Sequence, residues 1–239
     1  MRGAAGLAVF ALLAWPAFGQ LPGLGDGGRR VTVDARVAPW SSLVRVQAPG
    51  LARCTGVLVG PDLVATAAHC LFSERLGRFI PVGSIHVLLG YSGGGYAGHA
   101  VARGYRVARG FDARDVQATR GADVALIRLA VPLAGPVLGL ADATGNEAVA
   151  LGGYQQDRAE VIAADLDCRV TGRAADSRAR GVLLHGCAAT RGSSGGPLLM
   201  REGSGVWRVV GIQSGGQQGV RGGVAVPAAA VRALLASPP

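Results

Sequence analysis

Short apolar runs broken by turn residues set the pattern of this chain. Val31-Thr32-Val33, Leu43-Val44-Arg45-Val46, Gly56-Val57-Leu58-Val59 and Leu63-Val64-Ala65-Thr66 favour β-structure, with Pro49-Gly50 and Gly60-Pro61-Asp62 as turns between them. From Ser84 to Tyr91, the residues Ile85, Val87, Leu89 and Tyr91 recur at a period of two, one face of a strand. Many short strands at close spacing predict antiparallel barrels or sandwiches. Two windows favour helix. Arg158 to Ala164 does so by propensity alone, which is a weak guide. Pro227 to Ala236 carries Val231, Leu234 and Leu235 on one face, Pro227 at a first helical position and Pro238 as a stop.

The N-terminus follows a different pattern. Arg2 and the apolar run Ala4 to Trp15 precede Ala17-Phe18-Gly19, the order of a secretory signal with mature start at Gln20. The run is too short to span a bilayer, which takes roughly 20 residues, and no other apolar run is long enough. Gln20 to Arg30 has no periodicity and reads as a flexible leader or propeptide. Its last pair, Arg29-Arg30, offers a site for trypsin-like processing, and an unprocessed terminus fits equally well.

Charge and composition narrow the function. The chain has 239 residues and a formal charge of +9, carried by arginine without any lysine. The arginines are scattered and aromatics make up only 5%, unlike the basic, aromatic-laced stripe of a nucleic-acid binder. The charge reads as solubility with weak attraction to acidic polymers. Gly93, Gly95 and Gly98 spell a dinucleotide fingerprint, but a strand-like segment follows where a helix is required, so the segment is read as a hairpin.

Three stretches carry chemistry. In Arg191-Gly192-Ser193-Ser194-Gly195-Gly196-Pro197, glycines free the backbone to aim the Gly192 and Ser194 amides at one point beside a serine hydroxyl. That hydroxyl needs a base. Thr66-Ala67-Ala68-His69-Cys70 offers His69. Gly121-Ala122-Asp123-Val124 leads Asp123 into an apolar run, where a buried carboxylate calls for a hydrogen-bonding partner such as an imidazole N–H. Four cysteines in an exported chain suggest disulfides. A Cys54–Cys70 bridge would fix the turn of His69, leaving Cys168 and Cys187 as the second pair, although spacing alone allows three connectivities. Zinc is not expected, because no C-x-x-C or H-E-x-x-H is present.

In this order, the His69, Asp123 and Ser194 motifs resemble the chymotrypsin/trypsin-like serine peptidases, over about Val31 to Ala225. Gly152-Gly153-Tyr154 and His185-Gly186-Cys187 are similar to the short bacterial, glutamyl-endopeptidase-like branch. The resemblance implies an all-β fold of two antiparallel six-stranded barrels, about 31–135 and 136–226, with a C-terminal helix at 227–236. It makes the Arg158 window a strand. It further implies a secreted or periplasmic serine endopeptidase, without cofactor, acting as a monomer on protein or peptide. By resemblance Ser194 is the nucleophile, His69 the base and Asp123 its partner, with an oxyanion hole at Gly192 and Ser194. Ser214 would steady Asp123, and Ser214 to Gly216 would pair with substrate backbone.

Several positions depart from the family pattern. Ser193 stands where trypsins carry the acid that receives a freed N-terminus. An ion pair with a new terminus at Val31 is therefore not expected, and the Ser194 loop should be ordered by local contacts and Cys187. Ala188 replaces the specificity aspartate. Gln213 replaces the histidine of glutamate-specific relatives, although Thr190 lies near their pocket threonine. Gly215 replaces a tryptophan, which suggests an open pocket wall. His86, His99 and His185 have no evident partner, and Trp40 and Trp207 read as packing residues. The other reading of the chain is a catalytically silent homologue that binds a partner.

Overall fold

A computed structural model describes residues 23–49, 53–216 and 222–237. The expected signal at 1–19 lies outside the described residues. The first barrel is built from β1 (Leu43–Gln47), β2 (Cys54–Gly60), β3 (Leu63–Thr66), β4 (His86–Leu89), β5 (Gly98–Val107) and β6 (Ala125–Leu129). It closes in the order β6-β3-β2-β1-β4-β5. The second uses β7 (Ala148–Gly153), β8 (Ile162–Ala175), β9 (Gly181–His185), β10 (Pro197–Arg201), β11 (Trp207–Gly216) and β12 (Gly223–Pro227). Their order is β11-β10-β7-β8-β9-β12, and the β11–β12 pairing closes the ring. Two antiparallel six-stranded barrels are therefore present, as expected.

β1, β2 and β3 of the first barrel read as near-continuous apolar runs because both of their faces are covered. Val44, Val46, Leu58 and Val64 point into the first barrel. Their neighbours Leu43, Val57 and Ala65 pack in a second cluster, against Tyr154, Ile162 and Ile212 of the other barrel. A strand turns successive side chains to opposite faces, so burial on both sides removes the polar half of the alternation. Trp40 is buried in this inter-barrel cluster and Trp207 packs at its edge. The helix α1 (Ala228–Ala236) lays Val231 and Leu234 on the same cluster. Pro227 is its N-cap, rather than its first residue, because it also closes β12.

Arg158 to Ala164 forms no α-helix. A short 3-10 turn at Gln156–Arg158 leads into β8, because Ile162, Ala163 and Ala164 are wholly buried in sheet. The glycine segment at 93–98 is a turn, with Ser92 bridged to Gly95, that opens into β5.

The leader departs most from expectation. Residues 23–30 are not loose. Gly23–Leu24 pairs with Ala189–Thr190, and Asp26 caps a turn at Gly27–Arg29. Arg30–Val33 then pairs with Ile162–Asp165 on β8. The strand at Val31-Thr32-Val33 exists, but it lies on the second barrel. Ion pairs from Arg29 to Asp165 and from Arg30 to Asp157 hold it there.

Candidate active site

The cleft between the barrels gathers side chains from both. His69 sits on the 3-10 turn Ala68–Leu71 that follows β3. Cys70 of that turn is bonded to Cys54 at the start of β2, and Cys168 is bonded to Cys187. Both pairings agree with the sequence expectation. Asp123 ends the turn before β6 and is wholly buried. Every oxygen of its carboxylate is used. Oδ1 accepts the His69 backbone N–H at 2.9 Å. Oδ2 accepts His69 Nδ1–H at 2.7 Å and the Ser214 hydroxyl at 2.5 Å. This fixes the tautomer, leaving Nε2 as the acceptor.

Electrostatics follow from that geometry. Burial alone would depress the His69 pKa, but the Asp123 charge and its hydrogen bond outweigh it and raise the value above 6.5. Burial would likewise raise Asp123, but the His69 charge and the hydrogen bonds of His69 and Ser214 hold it below 3.8. The His69 side chain is still 27% exposed, so the imidazole is open to the cleft.

Ser194 and His69 line one cavity of 450 Å³, together with Cys70, Phe72 and Gly192. No hydrogen bond joins Ser194 Oγ to His69 among the described residues, and such bonds often tighten only with substrate bound. The serine rides on a turn that demands glycine at two places. Gly192 has φ +93° and Gly195 φ +80°. A Cβ on Gly192 would lie 2.1 Å from the Tyr154 carbonyl oxygen, and one on Gly195 2.1 Å from that of Thr55. Ser193, Gly195 and Gly196 donate their amides to Thr190, Gln213 and Ser193 carbonyls. Among the described residues, the Gly192 and Ser194 amides donate to none.

Thr55 ties this turn to the first barrel and was not picked out from the sequence. Its N–H donates to the Ser194 carbonyl at 2.8 Å and its hydroxyl to the Gly192 carbonyl at 2.8 Å. Nothing local marks a threonine whose partners lie about 140 residues away along the chain.

A second cavity, of 260 Å³, meets the first at Arg191 and Ser194. Of the residues expected at a substrate pocket, Thr190, Gln213, Gly215 and Gly216 line it, joined by Leu24 and Ala189, while Ser214 turns its hydroxyl to Asp123. Ala188 does not line the cavity. It is wholly buried behind the wall, where Gly25 of the leader covers it and its N–H donates to Asp165. Nor is the wall open at Gly215 and Gly216. The Arg120 guanidinium lies 2.8 Å from where a Gly215 Cβ would be, and Leu24 fills the corresponding place at Gly216. Arg120 also donates to the Gly216 carbonyl at 2.8 Å.

The three histidines without an evident partner have partners in the structure. His86 and His99 stack and share a 2.9 Å hydrogen bond at the surface. His185 contacts Gln213 at 2.7 Å, and burial lowers its pKa to about 4. Cys54, His69 and Cys70 cluster closely enough to suggest a metal site, but the two sulfurs are joined and have no thiolate to give.

The sequence model of the family described as Trypsin matches residues 27–235, most of the chain. The chain belongs to the trypsin family. Solved structures agree on the fold of this trypsin-family protein. A Glu endopeptidase in complex with MPD superposes with TM-score 0.69 at 20% identity, covering 86% of this chain and 94% of that one. The Vibrio cholerae VesB protease gives 0.64 at 20% identity, covering 86% of this chain and 65% of that one. No curated protein matches it in sequence. The family makes the chain a peptidase, with peptide bonds as its substrate class. No helix among the described residues is long and apolar enough to cross a membrane.

Proposed function

We propose that this trypsin-family chain is an exported serine endopeptidase that cleaves peptide bonds through an acyl-enzyme intermediate. The observation that carries the reading is the hydrogen-bonded line Ser214–Asp123–His69 opening onto the cavity that holds Ser194 and the unengaged Gly192 and Ser194 amides. Ser194 Oγ attacks the scissile carbonyl carbon while His69 Nε2 takes its proton. The Gly192 and Ser194 amides hold the oxyanion. His69 passes the proton to the leaving amine, and Asp123 stabilises the imidazolium formed in between. Water, activated by His69, then releases the acyl group. Substrate backbone adds as a strand along Ser214 to Gly216, displacing Arg120 from the Gly216 carbonyl.

The residue before the scissile bond is neither arginine nor lysine. Among the described residues the pocket lining carries no acidic side chain, its one charged member is Arg191, and His185 behind Gln213 stays neutral at neutral pH. This preference differs from that of trypsin. The mature protein begins at Gln20, carries the peptidase unit as a monomer, and resides in the periplasm or outside the cell. The sequence of residues 1–19 and the two disulfides support export.

Ser194→Ala tests the reading. The variant is expected to lose fluorophosphonate labelling and casein hydrolysis while unfolding near the wild-type temperature, since the lost group is small and its role covalent. Labelling retained by the variant would remove Ser194 from the mechanism. A wild-type protein that neither labels nor cleaves would instead be a silent binding homologue. A peptide panel varied only before the scissile bond reads the pocket preference.

A further inference from the structure

The N-terminal segment reaches the specificity wall by three routes. Gly23 and Leu24 pair directly with Thr190 and Ala189. Arg29 lies 2.7 Å from Asp165, and the same carboxylate oxygen accepts the Ala188 N–H at 2.8 Å. Arg30 is the third route and the deepest, at only 6% exposed. Arginine is almost never buried unless paired, and Arg30 is paired through both terminal nitrogens of its guanidinium, while its Nε has no partner among the described residues. Its guanidinium grips Asp157 with two bonds of 2.9 and 2.6 Å and donates to Gln155 Oε1 at 2.8 Å. That oxygen also accepts the Thr190 N–H at 2.7 Å. The Thr190 carbonyl in turn accepts both the N–H and the hydroxyl of Ser193, at 3.1 and 2.7 Å. Three hydrogen-bonded steps therefore join a buried cation of the leader to the residue before Ser194.

Gln155 is the hinge of this path. Two donors converge on its Oε1, and its Nε2 donates to the Ala163 carbonyl at 2.9 Å, so its orientation is settled by its partners. Without Arg30, Gln155 loses one of those donors and Asp157 loses the partner that holds its pKa down. Ser193 has no charge with which to receive a freed terminus, yet a cation from the N-terminal segment is still inserted beside this loop.

We propose that Arg30, acting through Gln155 and Asp157, is the positioning residue that holds the specificity wall and the oxyanion turn in working geometry. The catalytic part of this role rests on the peptidase reading above. Arg29-Arg30 is then a clasp and not a processing site. The Arg30 carbonyl accepts from Arg158 at 2.9 Å and the residue pairs with Asp165 on β8, so the bond after it is not presented for cleavage. A chain starting at Val31 is expected to be less active than one starting at Gln20, because it loses all three routes.

The test uses the full chain with Arg30→Gln, Arg30→Lys and Arg30→Ala, and Asp157→Asn as a variant on the more exposed side of the pair. Hydrogen–deuterium exchange is followed across Ala188 to Ser194 and across β1 and β6, and kcat and KM are measured on a peptide substrate. In Arg30→Gln, exchange at Thr190 and Ser193 is expected to quicken tenfold or more while β1 and β6 are unchanged. The kcat should fall tenfold or more, with a smaller change in KM. Arg30→Lys should recover part of both, and millimolar guanidinium should restore part of the kcat of Arg30→Ala. Unchanged exchange with kcat within twofold would overturn the proposal. So would faster exchange throughout the protein, which would make Arg30 a general stabiliser. If the wild type shows no turnover, the peptidase reading fails, and the exchange comparison still decides whether Arg30 orders the wall.

Discussion

Gly192 shows how a single residue can be read in chemical terms before any fold is known. Its φ of +93° is costly for other residues, and a Cβ there would meet the Tyr154 carbonyl at 2.1 Å. Gly192→Ala is expected to turn its own amide away from the cleft. The loss in kcat/KM should be roughly 10²–10³-fold, the size attached to one oxyanion donor. Steady-state kinetics beside a thermal unfolding curve separates this from collapse of the fold. His69 supports a second expectation. The base must be neutral to take the serine proton, and its pKa is raised by the Asp123 charge and hydrogen bond against the opposing effect of burial. Activity should therefore rise with pH through a midpoint above 6.5. Asp123→Asn removes the raising cause, so the midpoint should drop and the rate fall by about 10⁴-fold. A pH profile of kcat/KM for both proteins checks the two together. The His69 charge stabilises the fold fully below 6.5, and that contribution fades as pH rises through the raised value. His69, Asp123 and Ser194 were legible because each stands in a chemically distinctive neighbourhood. Thr55 and Arg120 were not, since their partners are distant in sequence.

At the scale of elements, what could be read depended on length and on how many faces are buried. In the first barrel β1, β2 and β3 announced themselves as apolar runs and β4 as a period of two. The leader did not, because Gly23–Leu24 is a two-residue strand and carries no period at all. Its order comes from cations meeting Asp165 and Asp157, a pairing that only the folded sheet brings about. In the Arg158 window the resemblance, which made it a strand, holds against propensity from Ile162 onward. Local alanine content favoured helix, and burial in β8 decided otherwise. The disulfides were legible as a set of four cysteines, and the pairing expected from the place of His69 is the one the fold makes. Cys187 is wholly buried and directly precedes Ala188, so its bridge to Cys168 braces the wall from behind. Replacing both cysteines with alanine is expected to cost about 3 kcal/mol, for a sequence separation of 19. Denaturant midpoints measure that loss, and kcat should fall as the wall loosens.

Across the whole molecule, the arginines that looked scattered in sequence are partly gathered by the fold. Arg53, Arg75 and Arg191 line the larger cavity at Ser194, where Glu74 is the one acidic side chain in the lining among the described residues. Arg120 stands at the Gly216 carbonyl beside the other cavity. The net charge of +9 places this cleft in a positive field, and a concave surface of one sign raises the local concentration of opposite charge. An exposed cluster of this kind acts over a distance set by salt, about 10 Å at 0.1 M and about 3 Å at 1 M. Two peptides that differ only in carrying Asp or Ala two residues after the scissile bond should therefore be cleaved unequally. The acidic one should show a kcat/KM several-fold higher at low salt, expressed mainly in KM, and the advantage should vanish near ~1 M. Equal rates at low salt would mean that Glu74 and the Arg53–Glu160 pair, at 3.4 Å, already neutralise the cleft. A preference that survives high salt would point to a direct contact with Arg191, because a desolvated pair is screened far less than an open field.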